Sequence, residues 1–330
     1  MKSRRELHQY RRTMHGGNSP VNPTGARRVG GDRLQWVSVN STSGHAIITG
    51  ATSPIGETVL RRLVISGYTV TIAARVLDHA RATVGKLDDL SVSDRIAIVE
   101  CDLASLDSVR SFAAQVDRPW DLLLETATAA LSPYRSLTDD GCEWNFGINY
   151  LAHFVLAAEL WPRAAPEARI ITTTSPTAST ATLKLYDLRW DHGYRPGRAY
   201  ASSRLATMIW TAELARRLDE MNSSRTAVLT HPGFIQERPR LGRTTALAER
   251  IIGHSAAEGA QTLVSACDPD IPNGSFIVPD GPGQLRGEPT CAQPPAIAQD
   301  RDLAGRLWRM SEQLSGVPFL DTYPGVPPQG

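Results

Sequence analysis

His45-Ala46-Ile47-Ile48-Thr49-Gly50-Ala51-Thr52-Ser53-Pro54-Ile55-Gly56 is the stretch that decides the fold. A short apolar run ends in Thr-Gly, and a turn bounded by Gly50 and Gly56 comes next. Thr58, Val59, Leu60, Leu63 and Val64 then recur at helical spacing. A strand, a tight glycine turn and a helix in that order make a phosphate-binding βα unit. Backbone N–H groups around Thr52, Ser53 and Ile55, at a helix N-terminus, face an anion. Gly50 and Gly56 permit the turn and the close approach of a pyrophosphate.

Working outward, Thr69 to Ala74 reads as the next strand and ends in Arg75. An acid near this point suits a free ribose hydroxyl, whereas an arginine suits a 2′-phosphate, so NADP(H) is the expected cofactor. A solvated arginine after a strand is the plainer alternative. Ile96 to Glu100 reads as a third strand, followed by Asp102-Leu103 and a helix with Ser105 as its N-cap. Trp120 to Leu124 is the fourth strand, a long helix covers about Cys142 to Trp161, and Ala168 to Ser175 is the fifth strand. Further strands are expected at Thr226 to Thr230, before His231-Pro232-Gly233, and near Ser275 to Val278. This alternation predicts the α/β class: a single Rossmann-like doubly wound parallel sheet with helices on both faces and ligands at the carboxyl ends of its strands.

Between the fifth and sixth strands lies Arg198-Ala199-Tyr200-Ala201-Ser202-Ser203-Arg204. Tyr200 and Arg204 are one helical turn apart on the same face. A phenol beside a permanent cation is a proton donor with electrostatic help, because the cation favours the phenolate. Most such pairs are surface packing, so the reading rests on the elements around it.

The chain has 330 residues, enough for a sizeable core, and its 35 basic and 34 acidic residues leave a net charge of +1. That balance argues against nucleic acid or an anionic surface as partner. Cys101, Cys142, Cys267 and Cys291 form no CxxC and read as reduced thiols, so neither a disulfide frame nor a metal site is expected. No apolar run approaches the roughly 20 residues of a membrane span. The expected location is cytoplasmic. Residues 1–44 carry Arg4, Arg5, Arg11, Arg12, Arg27, Arg28 and Arg33 among scattered Gly and Pro, and read as a basic, disordered extension.

Taken together, these motifs resemble the short-chain dehydrogenase/reductase superfamily over about residues 45–320, and within it the retinol dehydrogenase, protochlorophyllide reductase and WW-domain oxidoreductase group. Thr49 to Gly56 is similar to the TGxxxGxG loop, and Asp102-Leu103 to the adenine-contacting Asp-Leu. Phe146-Gly147 and Asn149-Tyr150-Leu151-Ala152-His153-Phe154 resemble FGVNHLGHF; Thr174-Ser175 and Tyr200 to Arg204 take the places of Ser-Ser and YxxSK. The resemblance implies that Ser175 holds the substrate oxygen and that Tyr200 moves the proton. It also implies that the cation at Arg204 supports Tyr200 and the nicotinamide ribose, and that Asn149 anchors a water for proton relay. Ala127, Pro232 and Gly233 join the cofactor contacts by the same resemblance. His153 and His231 are expected to serve packing and backbone bonds.

The departures gather around the cofactor. Arg204 stands where the family has lysine, Pro54 replaces the middle loop glycine, and Glu125-Thr126-Ala127-Thr128 replaces Asn-Asn-Ala-Gly. Glu125 would bring a negative charge to the cofactor, and Arg204 reads as one cation replacing another. The expected function is an NADP(H)-dependent oxidoreductase interconverting carbonyl and alcohol on a fairly apolar small molecule, of the kind met in specialised metabolism. The alternative is a related protein with a non-redox catalytic role or a cofactor-binding role without turnover. Specificity is expected from 176–197, with Leu185, Tyr186, Leu188, Trp190 and Tyr194, and from a loop at 234–257. An even-numbered homo-oligomer through the helices of Asn149 and Tyr200 is common in the superfamily, though members of the resembled group are often monomers.

Overall fold

A computed structural model describes residues 44–87, 92–129, 131–235 and 255–320. The basic extension, apart from Gly44, and the part of the expected specificity loop at 236–254 lie outside the described residues.

The strands are β1 (His45–Thr49), β2 (Thr69–Ala74), β3 (Ile96–Glu100), β4 (Trp120–Glu125), β5 (Ala164–Thr173), β6 (Thr226–Thr230), β7 (Phe276–Pro279) and β8 (Pro289–Ala292). They form one sheet in the order β3-β2-β1-β4-β5-β6-β7-β8. All pairings are parallel except β7 with β8. The doubly wound sheet expected from the alternation is present, with an antiparallel edge strand added. Pro289-Thr290-Cys291-Ala292 is too short and too poor in branched apolar residues to announce a strand.

Helices cover both faces. On one side lie α1 (Pro54–Ile65), α2 (Leu77–Gly85) and, late in the chain, Ala256–Ala266. They bury Ile48, Leu124, Ile171 and Val228 of the central strands. The other side holds α3 (Leu106–Gln115) and α4, a helix of three successive parts: Trp144–Phe146, a π-helical turn at Gly147–Leu151, and Ala152–Leu160. Next to α4 runs α5 (Pro196–Glu220); the Ala256–Ala266 helix is then α6, and α7 (Arg301–Ser315) is the last helix among the described residues. This second group buries Ile47, Leu123, Ile170 and Ala227. Central strands buried on both faces explain their near-continuous apolar runs.

Ser105 departs from its expected role. It occupies the N-cap of α3 but makes no capping bond; the Asp140 carboxylate accepts from the Leu106 N–H at 2.9 Å instead. At the C-terminal side, α7 packs across α4 and α5. Trp308 and Phe319 stack at 5.3 Å, both meet Phe154 edge-on, Arg217 lies 4.0 Å over the Trp308 ring, and Tyr150 shares a hydrogen bond with Ser311 at 2.6 Å. Trp308 of α7 and Phe319 beyond it thus cover Phe154 of α4, which in turn meets Trp210 of α5 edge-on.

Candidate active site

The sheet reverses direction of travel between β1 and β4, which opens a crevice at their carboxyl ends. The expected site residues gather along this edge. Gly50, Thr52, Ser53, Ile55 and Gly56 follow β1; Arg75 follows β2; Asp102 and Leu103 follow β3; Ala127 follows β4; Ser175 follows β5; Pro232 and Gly233 follow β6. Asn149 comes from the π turn of α4, and Tyr200 and Arg204 come from α5.

Gly50 has φ +71°, and a Cβ there would meet the Ala127 backbone at 2.7 Å. Any side chain would therefore push the first loop off the fourth. Gly56 is held as tightly, since its Cβ would fall 2.1 Å from the Gly50 carbonyl oxygen. The loop closes with Ser53 as N-cap of α1, its Oγ accepting from the Gly56 N–H at 3.0 Å. Pro54 at the first helical position has no N–H to offer, which leaves Ile55 as the first-turn amide available to an anion. The serine cap and the proline both favour the helix start. Pro54 therefore narrows the anion site without disrupting it.

Thr49, absent from the expected set, ties the loops together. Its Oγ1 accepts from the N–H groups of Thr126 and Ala127, each at 3.1 Å, and lies 3.1 Å from Nε2 of His153. With both acceptor positions used, the hydroxyl hydrogen goes to Nε2. Nδ1–H of His153 then donates to the Asn149 carbonyl at 3.2 Å, which assigns the tautomer. Burial holds the His153 pKa down to about 4, opposed by its bond to Asn149 and helped by the nearby Arg204 charge. His153 thus has the supporting place expected of it. So does His231, whose Nδ1 accepts from the Gly233 N–H at 3.1 Å.

Asn149 is bonded on both its side chain and its carbonyl. Its Oδ1 accepts from the Ala129 N–H at 2.7 Å, its Nδ2 donates to Ser203 Oγ at 2.9 Å, and its carbonyl receives His153 Nδ1 and the Thr207 hydroxyl. Each of these groups has a protein partner, and the amide keeps one N–H and one lone pair beyond them. A π turn inside a helix is a frequent mark of a functional site, and here it places Asn149 between the β4 loop and α5.

Tyr200 is half-buried, and the Arg204 guanidinium carbon lies 5.3 Å from the centre of its ring. Arg204 itself is 2% exposed. Nη1 donates to the Thr173 carbonyl at 3.0 Å and Nη2 to the Thr128 hydroxyl, while Nε–H is buried without an acceptor. Ser175, two residues beyond Thr173, caps a short 3-10 turn and is half-buried at the crevice. Its Oγ receives the Thr177 hydroxyl at 3.1 Å and keeps its own hydrogen for another acceptor.

Glu125 differs from expectation in charge. It is the last residue of β4, 2% exposed, with neither carboxyl oxygen hydrogen-bonded. Burial alone pushes its pKa well above the usual range, which favours the neutral carboxyl over a negative charge at the end of β4.

The expected specificity segment is partly packing. Leu185 is buried and Leu188 packs on the core, whereas Tyr186 is 84% exposed. Arg135 donates to the Arg189 carbonyl at 2.8 Å and pairs with Asp191, and the Tyr194 hydroxyl donates to the Ser132 carbonyl at 3.2 Å. These bonds clasp the loop after β4 to the loop after β5.

Comparison with known proteins agrees with this geometry. The model of the short chain dehydrogenase family matches residues 44–238. Polyprenol dehydrogenase of Mus musculus is 34% identical over 88% of this chain and 89% of its own length, and retinol dehydrogenase 14 of the same species is 30% identical over 88% and 93%. The crystal structure of an uncharacterised protein from Mycobacterium paratuberculosis superposes with a TM-score of 0.72 at 31% identity, covering 86% of this chain and 98% of that one. With the loop, the sheet order and the tyrosine helix in place, the chain belongs to the short-chain dehydrogenase family of oxidoreductases.

Proposed function

We propose that the protein interconverts a carbonyl and an alcohol on a fairly apolar small molecule, using NADP(H). The observation that carries this reading is Tyr200, half-buried on α5 with the Arg204 cation against its ring, beside the strand end that presents Ser175. The cofactor supplies or takes the hydride. Ser175 would hold the substrate oxygen by its free hydroxyl hydrogen, and the Tyr200 hydroxyl would give that oxygen a proton in reduction or take one in oxidation. Arg204 would support the phenolate by its charge.

The residues present fit a dinucleotide phosphate. The Gly50 to Gly56 turn and the Ile55 amide suit the pyrophosphate, and Asp102 and Leu103, just after β3, would meet the adenine as the family resemblance implies. Arg75 is exposed and makes no hydrogen bond or ion pair among the described residues, so its fork is open to a 2′-phosphate. The buried, acceptor-free Nε–H of Arg204 suits a ribose hydroxyl. Asn149 would serve by holding the β4 loop against α5.

An apolar substrate is supported by the rim. Leu131, Tyr134, Tyr186 and Phe234 are 59%, 80%, 84% and 44% exposed on the loops that follow β4, β5 and β6. Relatives named for polyprenol and retinol point the same way. The test is fluorescence titration with NADPH and NADH, followed by turnover on a panel of long-chain alcohols and aldehydes. Binding without turnover on any of them would favour the alternative of a protein that keeps the cofactor site alone; absence of binding would end the proposal.

A further inference from the structure

Arg204 is a buried guanidinium with no carboxylate in ion-pair reach among the described residues. Such a cation depends on its hydrogen bonds for both place and orientation. One bond, to the Thr173 carbonyl, would leave the planar group free to swing about that contact. The second, to Thr128, completes a clamp between the end of β5 and the loop after β4. The Thr128 hydroxyl is set up for this role: its own hydrogen points to the Thr126 carbonyl at 3.4 Å, so its oxygen is turned to the guanidinium as an acceptor. Two departures from the resembled pattern thus meet in one hydrogen bond. A glycine at 128 would have no hydroxyl to offer, and a lysine at 204 would have no second N–H arm.

We propose that Thr128 is a positioning residue that aims the Arg204 guanidinium at Tyr200, and that the two act as a unit. The proposal rests on the reading of Tyr200 as the proton donor. The loop that borders the cofactor position thereby sets the electrostatics of the tyrosine through the arginine. A shift of that loop would be felt at the phenol without any direct contact.

The experiment uses Thr128→Val, which keeps shape and removes the hydroxyl, and Thr128→Ser, which restores it. NADPH fluorescence titration, kcat and KM of NADPH-dependent turnover, and the urea midpoint of the cofactor-free protein are the readouts. Thr128→Val should lower kcat at least about fivefold with the substrate KM little changed, because the cation is less well aimed. It should also weaken NADPH binding at least about fivefold, with Thr128→Ser close to the parent in both. Thr128→Ala replaces the valine variant if the branched side chain disturbs the loop. In a double-mutant cycle, Thr128→Gly with Arg204→Lys should lose less NADPH affinity than the two single changes combined. A kcat unchanged in Thr128→Val, or strictly additive losses in the cycle, would overturn the pairing. A parent protein that binds no NADPH would instead sink the functional reading, and the same cycle read in urea midpoints of the cofactor-free protein would still decide whether Thr128 and Arg204 act as a unit.

Discussion

Thr49 Oγ1 and His153 Nε2 lie 3.1 Å apart, so the end of the first strand is hydrogen-bonded to the helix that carries Asn149. That contact requires a neutral imidazole, since Nε2 must accept. The folded-state pKa of about 4 lies below the ordinary 6.5, so the unfolded chain binds the extra proton first as pH falls. Stability from this group is present above pH 6.5 and is lost as pH falls towards 4, by up to roughly 3 kcal/mol. His153→Gln should flatten that acid loss, measured as urea midpoints at neutral and acidic pH. An unchanged slope would show that other groups govern it.

Glu125 acts in the opposite sense. Its folded pKa is raised by burial, so the folded state holds a proton that the unfolded chain releases. Its contribution is most favourable below the ordinary carboxyl value of 4.5 and declines as pH rises above it. Glu125→Gln should therefore stabilise the protein near pH 8 by about 1–3 kcal/mol, with the gain vanishing near pH 4. Denaturant titration of the variant at both pH values is the measurement, and a gain of equal size at both would refute a neutral buried acid.

Arg75 is the proposed discriminator between cofactors. Arg75→Ala should weaken NADPH binding by at least about tenfold and leave NADH binding nearly unchanged. Equal losses for both would place the 2′-phosphate elsewhere.

Tyr200→Phe removes one hydroxyl from a half-buried ring. Folding and NADPH affinity should change little, while turnover falls by at least about a hundredfold, as loss of a general acid does. Ser175→Ala should lose turnover without losing cofactor affinity. Unchanged turnover in Tyr200→Phe would remove the proposed chemistry.

Much of the fold was legible because parallel strands buried on both faces write themselves as short apolar runs. Ala46-Ile47-Ile48 and Leu122-Leu123-Leu124 are such runs, and the Gly50 turn after the first of them marks the start of α1. β8 escaped because an edge strand of four residues carries no such pattern. In the site, the residues proposed for the chemistry were visible by type and spacing. Those whose role is to hold others were not: Thr49 bonds to groups 77, 78 and 104 positions away, and Thr128 and Thr173 each meet Arg204 from 76 and 31 positions away. Glu125 shows the converse error. Its identity suggested a charge, and its burial opposes one.

The stacked pair of Trp308 and Phe319 has a consequence for how the protein could be shortened. Phe154 meets both rings edge-on at 5.4 and 5.6 Å, and Trp161 meets Phe319 at 5.5 Å, within a patch that also takes in Tyr150 and Trp210. A chain ended before Arg301 would lose Trp308 and Phe319 and keep every described strand and every proposed catalytic group, yet lay Phe154, Trp161, Tyr150 and Trp210 open to water. Two such molecules could cover one another where the last helix now does. The carboxyl-terminal segment thus shields, within one molecule, an aromatic face of α4 and α5.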